Sequence, residues 1–135
     1  MMNFFKKKGK KILVVEDEAD IAENIQARLS LDNYQVVLAS DGKSGVEKAR
    51  KEKPDLVILD VMMPLVNGFD VCKILKTEAG TRDIPILILT ALPHLDDVDK
   101  AYEVGANDFL NKPFTNDRLV QKVKKLLGSE GNSPR

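Results

Sequence analysis

The chain has 135 residues, 43% hydrophobic and 31% charged, with 21 basic side chains against 21 acidic ones. That length and balance fit one soluble globular domain with an ordinary core. They exclude a membrane span, because no apolar run approaches the roughly 20 residues a bilayer requires, and the single cysteine, Cys72, excludes an intramolecular disulfide. The charge is unevenly placed. Lys6, Lys7, Lys8, Lys10 and Lys11 supply five of the 21 positive charges, so the remainder is 16 positive against 21 negative. An acidic body argues against direct nucleic-acid binding. The start MMNFFKKKGKK has no apolar segment of a secretory signal, so a cytoplasmic location is expected.

Short apolar runs alternate with helix-periodic segments. The first run, KILVVE, predicts a strand over 11–16, and Ile21, Ile25 and Leu29 then mark one stripe of a helix, with Asp20 and Glu23 as a capping-box-like start. A second strand is expected over 35–39. The Asp41–Gly42 turn opens a second helix, marked by Val46 and Ala49. DLVIL gives a third strand over 55–59, and Asn67–Gly68 leads into a helix carrying Val71, Cys72 and Leu75; Cys72 reads there as a small buried hydrophobe. After the polar segment LKTEAGTRDIP, a surface loop or a dimer contact, a fourth strand covers 86–89. Leu95, Val98 and Tyr102 mark the fourth helix, stopped by Gly105 as a left-handed cap. A fifth strand covers 108–110. Thr115 then caps a last helix whose face is Leu119, Val123 and Leu126. Continuous Val, Ile and Leu runs imply strands covered on both faces. Five strand–helix units give a doubly wound α/β fold: a five-stranded parallel sheet in three αβα layers. Residues 1–9 read as a basic tail, 10–127 as the domain and 128–135 as a tail or linker.

Polar residues stand where the strands end. Glu16 and Asp17 close the first, Asp60 the third, Thr90 the fourth, and Lys112 follows the fifth. In an open parallel sheet, ligands bind at that edge. Each residue alone has an ordinary explanation as a cap, turn former or surface charge; together they specify a chemistry. Three carboxylates at one edge repel each other unless a cation joins them, and oxygen ligands with open water positions suit Mg²⁺. Asp60 is placed to attack phosphorus and form an aspartyl phosphate. Lys112 and the Thr90 hydroxyl are candidates to hold phosphoryl oxygens, as are the backbone N–H groups of Val61 and Leu92. Pro113, after Lys112, permits a cis bond that would fix the lysine.

On these residues the chain resembles the receiver domain of two-component response regulators, over about residues 10–127. The family's acidic pair matches Glu16–Asp17, its phosphoacceptor matches Asp60 in LDVMMP, and its glycine matches Gly68 in NGFD. Its switch hydroxyl matches Thr90 in LTA, its lysine matches Lys112 in KPF, and its aromatic switch position matches Phe109. The resemblance implies a flavodoxin-like sheet of order 2-1-3-4-5. It also implies Mg²⁺ on Glu16, Asp17, Asp60 and the Met62 backbone carbonyl. The phosphoryl donor would be a phosphohistidine on a sensor histidine kinase or histidine phosphotransfer protein, or a small acyl phosphate. The domain would be a switch rather than an enzyme acting on a separate substrate, though it would catalyse its own phosphorylation and dephosphorylation. Phosphorylation would draw Thr90 inward, let Phe109 turn in behind it, and remodel the surface of the fourth helix, fifth strand and fifth helix. That surface would serve a downstream protein, a fused output domain or a phosphorylation-dependent homodimer. Met62 and Leu92 flank the path of the hydrolytic water in the family; both are apolar here, which predicts slow self-dephosphorylation.

Three rival readings lose support at specific residues. A haloacid-dehalogenase-type phosphatase needs a second acid where Met62 stands, and a flavodoxin needs a phosphate cradle where Glu16, Asp17 and Glu18 stand. His94, the one histidine, lacks the helical-bundle context of a phosphorelay histidine. A phosphorylation-independent interaction scaffold is the alternative that the same residues allow. No DNA-binding, cyclase or kinase motif follows the last helix, so the expectation is a stand-alone receiver or a piece of a longer chain.

Overall fold

A computed structural model describes residues 9–63, 67–91 and 95–128, with only the backbone described at 95–98. The lysines at 6–8, Leu92, His94, the side chains of Leu95 and Val98, and the stretch beyond residue 128 therefore lie outside the described residues. The elements alternate as β1 (Lys11–Val15), α1 (Ala19–Ser30), β2 (Gln35–Ala39), α2 (Gly42–Glu52), β3 (Leu56–Asp60), α3 (Gly68–Thr77), β4 (Ile86–Thr90), α4 (Leu95–Glu103), β5 (Asp108–Asn111) and α5 (Asn116–Leu127). All four strand pairings are parallel, in the order β2-β1-β3-β4-β5. The expected doubly wound sheet is therefore the observed one. No helix among the described residues is long and apolar enough to cross a membrane.

Strand alternation sorts the apolar side chains into two layers. Ile12, Val14, Leu56, Ile58, Leu87 and Leu89 meet Ile25 and Leu29 of α1 and Leu119, Val120 and Val123 of α5. Their neighbours Leu13, Val15, Val57, Leu59, Ile86 and Ile88 face the opposite way. There they meet Val46 and Ala49 of α2, Val71, Cys72 and Leu75 of α3, and Ala101 of α4. Successive residues point to opposite faces, so an unbroken apolar strand needs helices on both sides. Each Leu or Ile removed from water stabilises the fold by roughly 1.5–3 kcal/mol before the entropy of ordering it is counted.

The helix ends mostly follow their local chemistry. Asp41, Asn67 and Thr115 cap α2, α3 and α5, accepting from the N–H groups of Ser44, Phe69 and Arg118 at 2.7, 2.8 and 3.1 Å. Gly105 follows α4 with φ 97°, a left-handed conformation that favours glycine. The start of α1 differs from expectation. Its N-cap is Glu18, which makes no side-chain capping bond, so Asp20 and Glu23 do not form a capping box. Glu18 is instead tied to the sheet edge: its N–H donates to Glu16 Oε2 at 3.1 Å. Tyr102 also departs from the inner stripe of α4. It is half-exposed, because its ring stacks edge-on against Phe109 instead, with centroids 6.2 Å apart.

The segment before β4 is fastened to its surroundings. Thr81 is buried and donates to the Leu75 carbonyl at 2.7 Å. Glu78 accepts two hydrogen bonds from the Arg50 guanidinium. Part of the segment's polarity is thus taken up by contacts within the chain.

Candidate functional site

The site is built where the sheet reverses direction. β1 leads through α1 to β2 on one side, and the chain returns to place β3 on the other side of β1. The crevice at such a switch point lies beyond the carboxyl ends of β1 and β3. Val15 pairs with Leu59, so the next residues, Glu16 and Asp60, leave the two strands at the same level. Backbone bonds extend the sheet past its strands. Glu16 N–H donates to the Ala39 carbonyl at 3.0 Å, Val61 N–H to that of Leu89 at 3.1 Å, and Lys112 N–H to that of Thr90 at 2.7 Å. These bonds fix where each functional side chain starts.

Two acids of the site are buried: Glu16 is 2% exposed and Asp60 1%, while Asp17 is exposed. One oxygen from each of the three lies within 4.8 Å of the others. Lys112 reaches into the group. Its Nζ lies 3.0 Å from Glu16 Oε1, 3.3 Å from Asp60 Oδ2 and 3.9 Å from Glu18 Oε1. The Lys112–Pro113 peptide bond is cis. The Met62 N–H holds the other oxygen of Asp60, donating to Oδ1 at 2.9 Å. Asp60 is thus gripped on one side by an ammonium and on the other by an amide.

The electrostatics of the group are unbalanced. Burial pushes the Glu16 carboxyl up to about 7, with nearby Asp60 adding to the rise and Lys112 opposing it. Burial disfavours the Lys112 charge as well, but Glu16 and Asp60 outweigh it and hold the ammonium above its usual range. Among the described residues, Lys112 is the one cation in ion-pair contact with this acidic group. Glu16 Oε1, although in ionic contact with Lys112, accepts no well-formed hydrogen bond. A buried oxygen in that state costs stability, and an all-oxygen donor set with excess negative charge suits a hard divalent cation such as Mg²⁺. The residues present therefore fit such an ion.

Thr90 ends β4 and is buried. Phe109 is half-buried in β5, packed against the core layer that carries α2, α3 and α4. Met62 is half-exposed. The structure corrects one expectation: Val61 N–H is spent on Leu89 and points along the sheet, so the amide directed at the Asp60 carboxylate is that of Met62. Two residues that matter escaped sequence reading, Asp108 and Lys122. Asp108 is 4% exposed and accepts from Lys122 Nζ at 3.0 and 3.1 Å. A lysine set between Leu119 and Val123, on the inner side of α5, was the available sign of a buried partner.

Residues 12–124 match the family model of the response regulator receiver domain. The chain belongs to that family. Among relatives of this receiver domain, the alkaline phosphatase synthesis transcriptional regulatory protein PhoP of Bacillus subtilis is 43% identical over 119 residues, which is 88% of this chain and 49% of that protein. The chain spans about half the length of the curated relatives it matches. Among solved structures, the chemotaxis response regulator CheY4 of Vibrio cholerae superposes with a TM-score of 0.84 at 31% identity, covering 88% of this chain and 99% of that one. The receiver domain of the sensor histidine kinase PA1611 from Pseudomonas aeruginosa gives 0.82 at 30% identity, covering 90% and 99%, and is described with a magnesium ion coordinated in its active-site cleft. This receiver domain is accordingly a signalling switch of the two-component type, of a family that binds Mg²⁺ at an acidic pocket.

Proposed function

We propose that Asp60 is the phosphoacceptor of this receiver domain and that Lys112 and Thr90 complete its phosphoryl site. The observation that carries this is the grip on Asp60, a buried carboxylate at a strand end with Lys112 Nζ 3.3 Å from Oδ2 and the Met62 N–H 2.9 Å from Oδ1. Such a carboxylate is oriented for in-line attack, and transfer then needs mainly positioning and charge stabilisation. The donor is a phosphohistidine on a sensor kinase or phosphotransfer protein, or a small acyl phosphate. From a phosphohistidine, an Asp60 oxygen forms a bond to phosphorus as the P–N bond breaks and the departing imidazole takes a proton from solvent; from an acyl phosphate, the P–O bond breaks and the carboxylate departs. Lys112 moves its charge from the carboxylate to one phosphoryl oxygen, and the Thr90 hydroxyl donates to another. Glu16, Asp17, Asp60 and the Met62 carbonyl would hold Mg²⁺, which supplies charge neutralisation for the incoming phosphoryl oxygens.

Movement of Thr90 toward the phosphoryl group opens space for the Phe109 ring and shifts the α4–β5–α5 surface between two packings. The reader of that surface is a downstream protein or an output domain fused to the receiver, in keeping with relatives named as transcriptional regulators. Met62 offers an attacking water no side-chain hydrogen-bond partner, so Met62→Asn should speed loss of the phosphoryl group; equal decay in both proteins would remove Met62 from that role.

Intact mass after incubation with acetyl phosphate tests the central claim. A single phosphoryl adduct that requires both Mg²⁺ and Asp60, and is absent from Asp60→Ala, is the expected result. An adduct indifferent to Asp60 would refute the assignment. No adduct, together with no beryllofluoride binding, would favour a phosphorylation-independent scaffold.

A further inference from the structure

Asp108 opens β5 as a nearly buried carboxylate beneath the switch position. Its Oδ1 accepts the Phe109 N–H at 2.8 Å and Lys122 Nζ at 3.0 Å, and its Oδ2 accepts Lys122 at 3.1 Å and Lys125 at 3.4 Å. The two lysines are not equivalent. The Lys122 side chain is 18% exposed and that of Lys125 is 71% exposed. Lys122 Nζ also lies 5.7 Å from the centroid of the Phe109 ring, within reach of a cation–π attraction. Tyr102 of α4 closes on the same ring edge-on. The ring is thus approached by a cation from α5 and by the Tyr102 ring from α4.

We infer that Lys122, clamped by Asp108, is a latch that holds the Phe109 ring in its resting, half-buried position and so sets the unphosphorylated balance of the switch. The inference rests on the reading of Phe109 as the switch ring. The two contacts of Lys122 differ in what they require. Its ion pair with Asp108 involves no ring atom and fixes where the ammonium sits. Its attraction to Phe109 exists only while the ring faces that ammonium. When the ring turns inward, the first contact persists and the second is lost. Only an interaction present in one state and absent from the other can bias an equilibrium, and the Lys122–ring contact meets that condition. Lys125 shares the carboxylate from the exposed side of α5, while the cation over the Phe109 ring is that of Lys122, which makes Lys125 the internal control.

The test is beryllofluoride binding by the full chain with excess Mg²⁺, read from amide resonances in titrations. Removing the latch raises the fraction of competent protein and the apparent affinity with it. Lys122→Gln and Lys122→Met should each bind about two- to fivefold more tightly than wild type, the factor a partly exposed cation–π contact provides. Lys122→Arg and Lys125→Gln should bind as wild type does. In a Phe109→Ala background, the Lys122→Gln effect should vanish. In each variant that gains affinity, resonances of β5 before titration should lie part-way toward their beryllofluoride-bound positions, a reading independent of affinity. Unchanged affinity and unchanged resting resonances in the Lys122 variants would overturn the latch, as would an equal gain in Lys125→Gln or a gain that survives Phe109→Ala. If Phe109→Ala itself leaves affinity unaltered, the switch-ring reading fails and the latch falls with it. If wild type binds no beryllofluoride, the phosphoacceptor reading fails first.

Discussion

Replacing Glu16 with Gln should stabilise this domain in the absence of divalent metal, by an amount that grows with pH. The substituted amide would keep an oxygen to accept the Glu18 N–H while removing a buried charge. Glu16 has its carboxyl raised from 4.5 to about 7, chiefly by burial. Between those values the folded protein holds a proton that the unfolded chain has already lost. Unfolding there releases a proton, so stability falls as pH rises through the interval and the full cost is present above about pH 7. A rise of that size corresponds to about 3 kcal/mol. Urea denaturation of wild type and Glu16→Gln in EDTA, from pH 5 to pH 8, reads the effect, since groups remote from Glu16 cancel in the difference. Glu16→Gln should gain little near pH 5 and up to about 3 kcal/mol at pH 8. Excess Mg²⁺ should then stabilise wild type more than the variant, because a ligand that binds only the folded state adds stability in proportion to its affinity. A stability difference that stays flat with pH, or a variant less stable than wild type at pH 8, would refute the reasoning.

Other sites give independent tests. A Cβ at residue 68 would press on Val61 Cα and lie 2.6 Å from the Asp60 carbonyl oxygen. These are backbone atoms that cannot swing aside, so Gly68→Ala should cost about 1–3 kcal/mol in urea denaturation and slow phosphorylation by acetyl phosphate; wild-type values for both would show that the loop yields. Asp108 feels burial most strongly, which raises its carboxyl, yet Lys122, the Phe109 N–H and Lys125 together hold it below its usual range. Its stabilising contribution is therefore present above pH 3.8 and lost as pH falls through the lowered value. Asp108→Asn should be less stable at pH 7 by about 1–3 kcal/mol, with the deficit narrowing in acid; a deficit that does not narrow as pH falls below 3.8 would place its origin elsewhere. Cys72 is buried, with burial pushing its thiol up to about 11. Iodoacetamide at pH 8 should therefore modify it only as fast as the protein opens, and native labelling at the rate found in urea would contradict the packing.

The sequence by itself determined the fold class and picked out the acids Glu16, Asp17 and Asp60 and the lysine Lys112 that the structure brings together at one sheet edge. Unbroken apolar runs such as LVIL in β3 are stable only with both faces covered, and the alternation with helices leaves a parallel sheet as the arrangement that covers them. Glu16, Asp60 and Thr90 could be picked out because each is a polar residue that ends such a run. Left-handed Gly105, the cap at Thr115 and the turns at Asp41–Gly42 and Asn67–Gly68 were legible because their chemistry is local. The tertiary structure decided what depends on residues far apart in the chain. Lys112 meets Glu16 and Asp60 only because β5, two strands from β3, sends its end back across the edge. The donor to the Asp60 carboxylate is the amide of Met62 because sheet pairing had already claimed that of Val61. Glu18, not a capping box, opens α1, since its N–H is taken by Glu16. Tyr102 turned outward, and Asp108 and Lys122 turned inward, because their partners are Phe109 and each other. Periodicity records which faces avoid water, but it does not record which charges meet once those faces are packed.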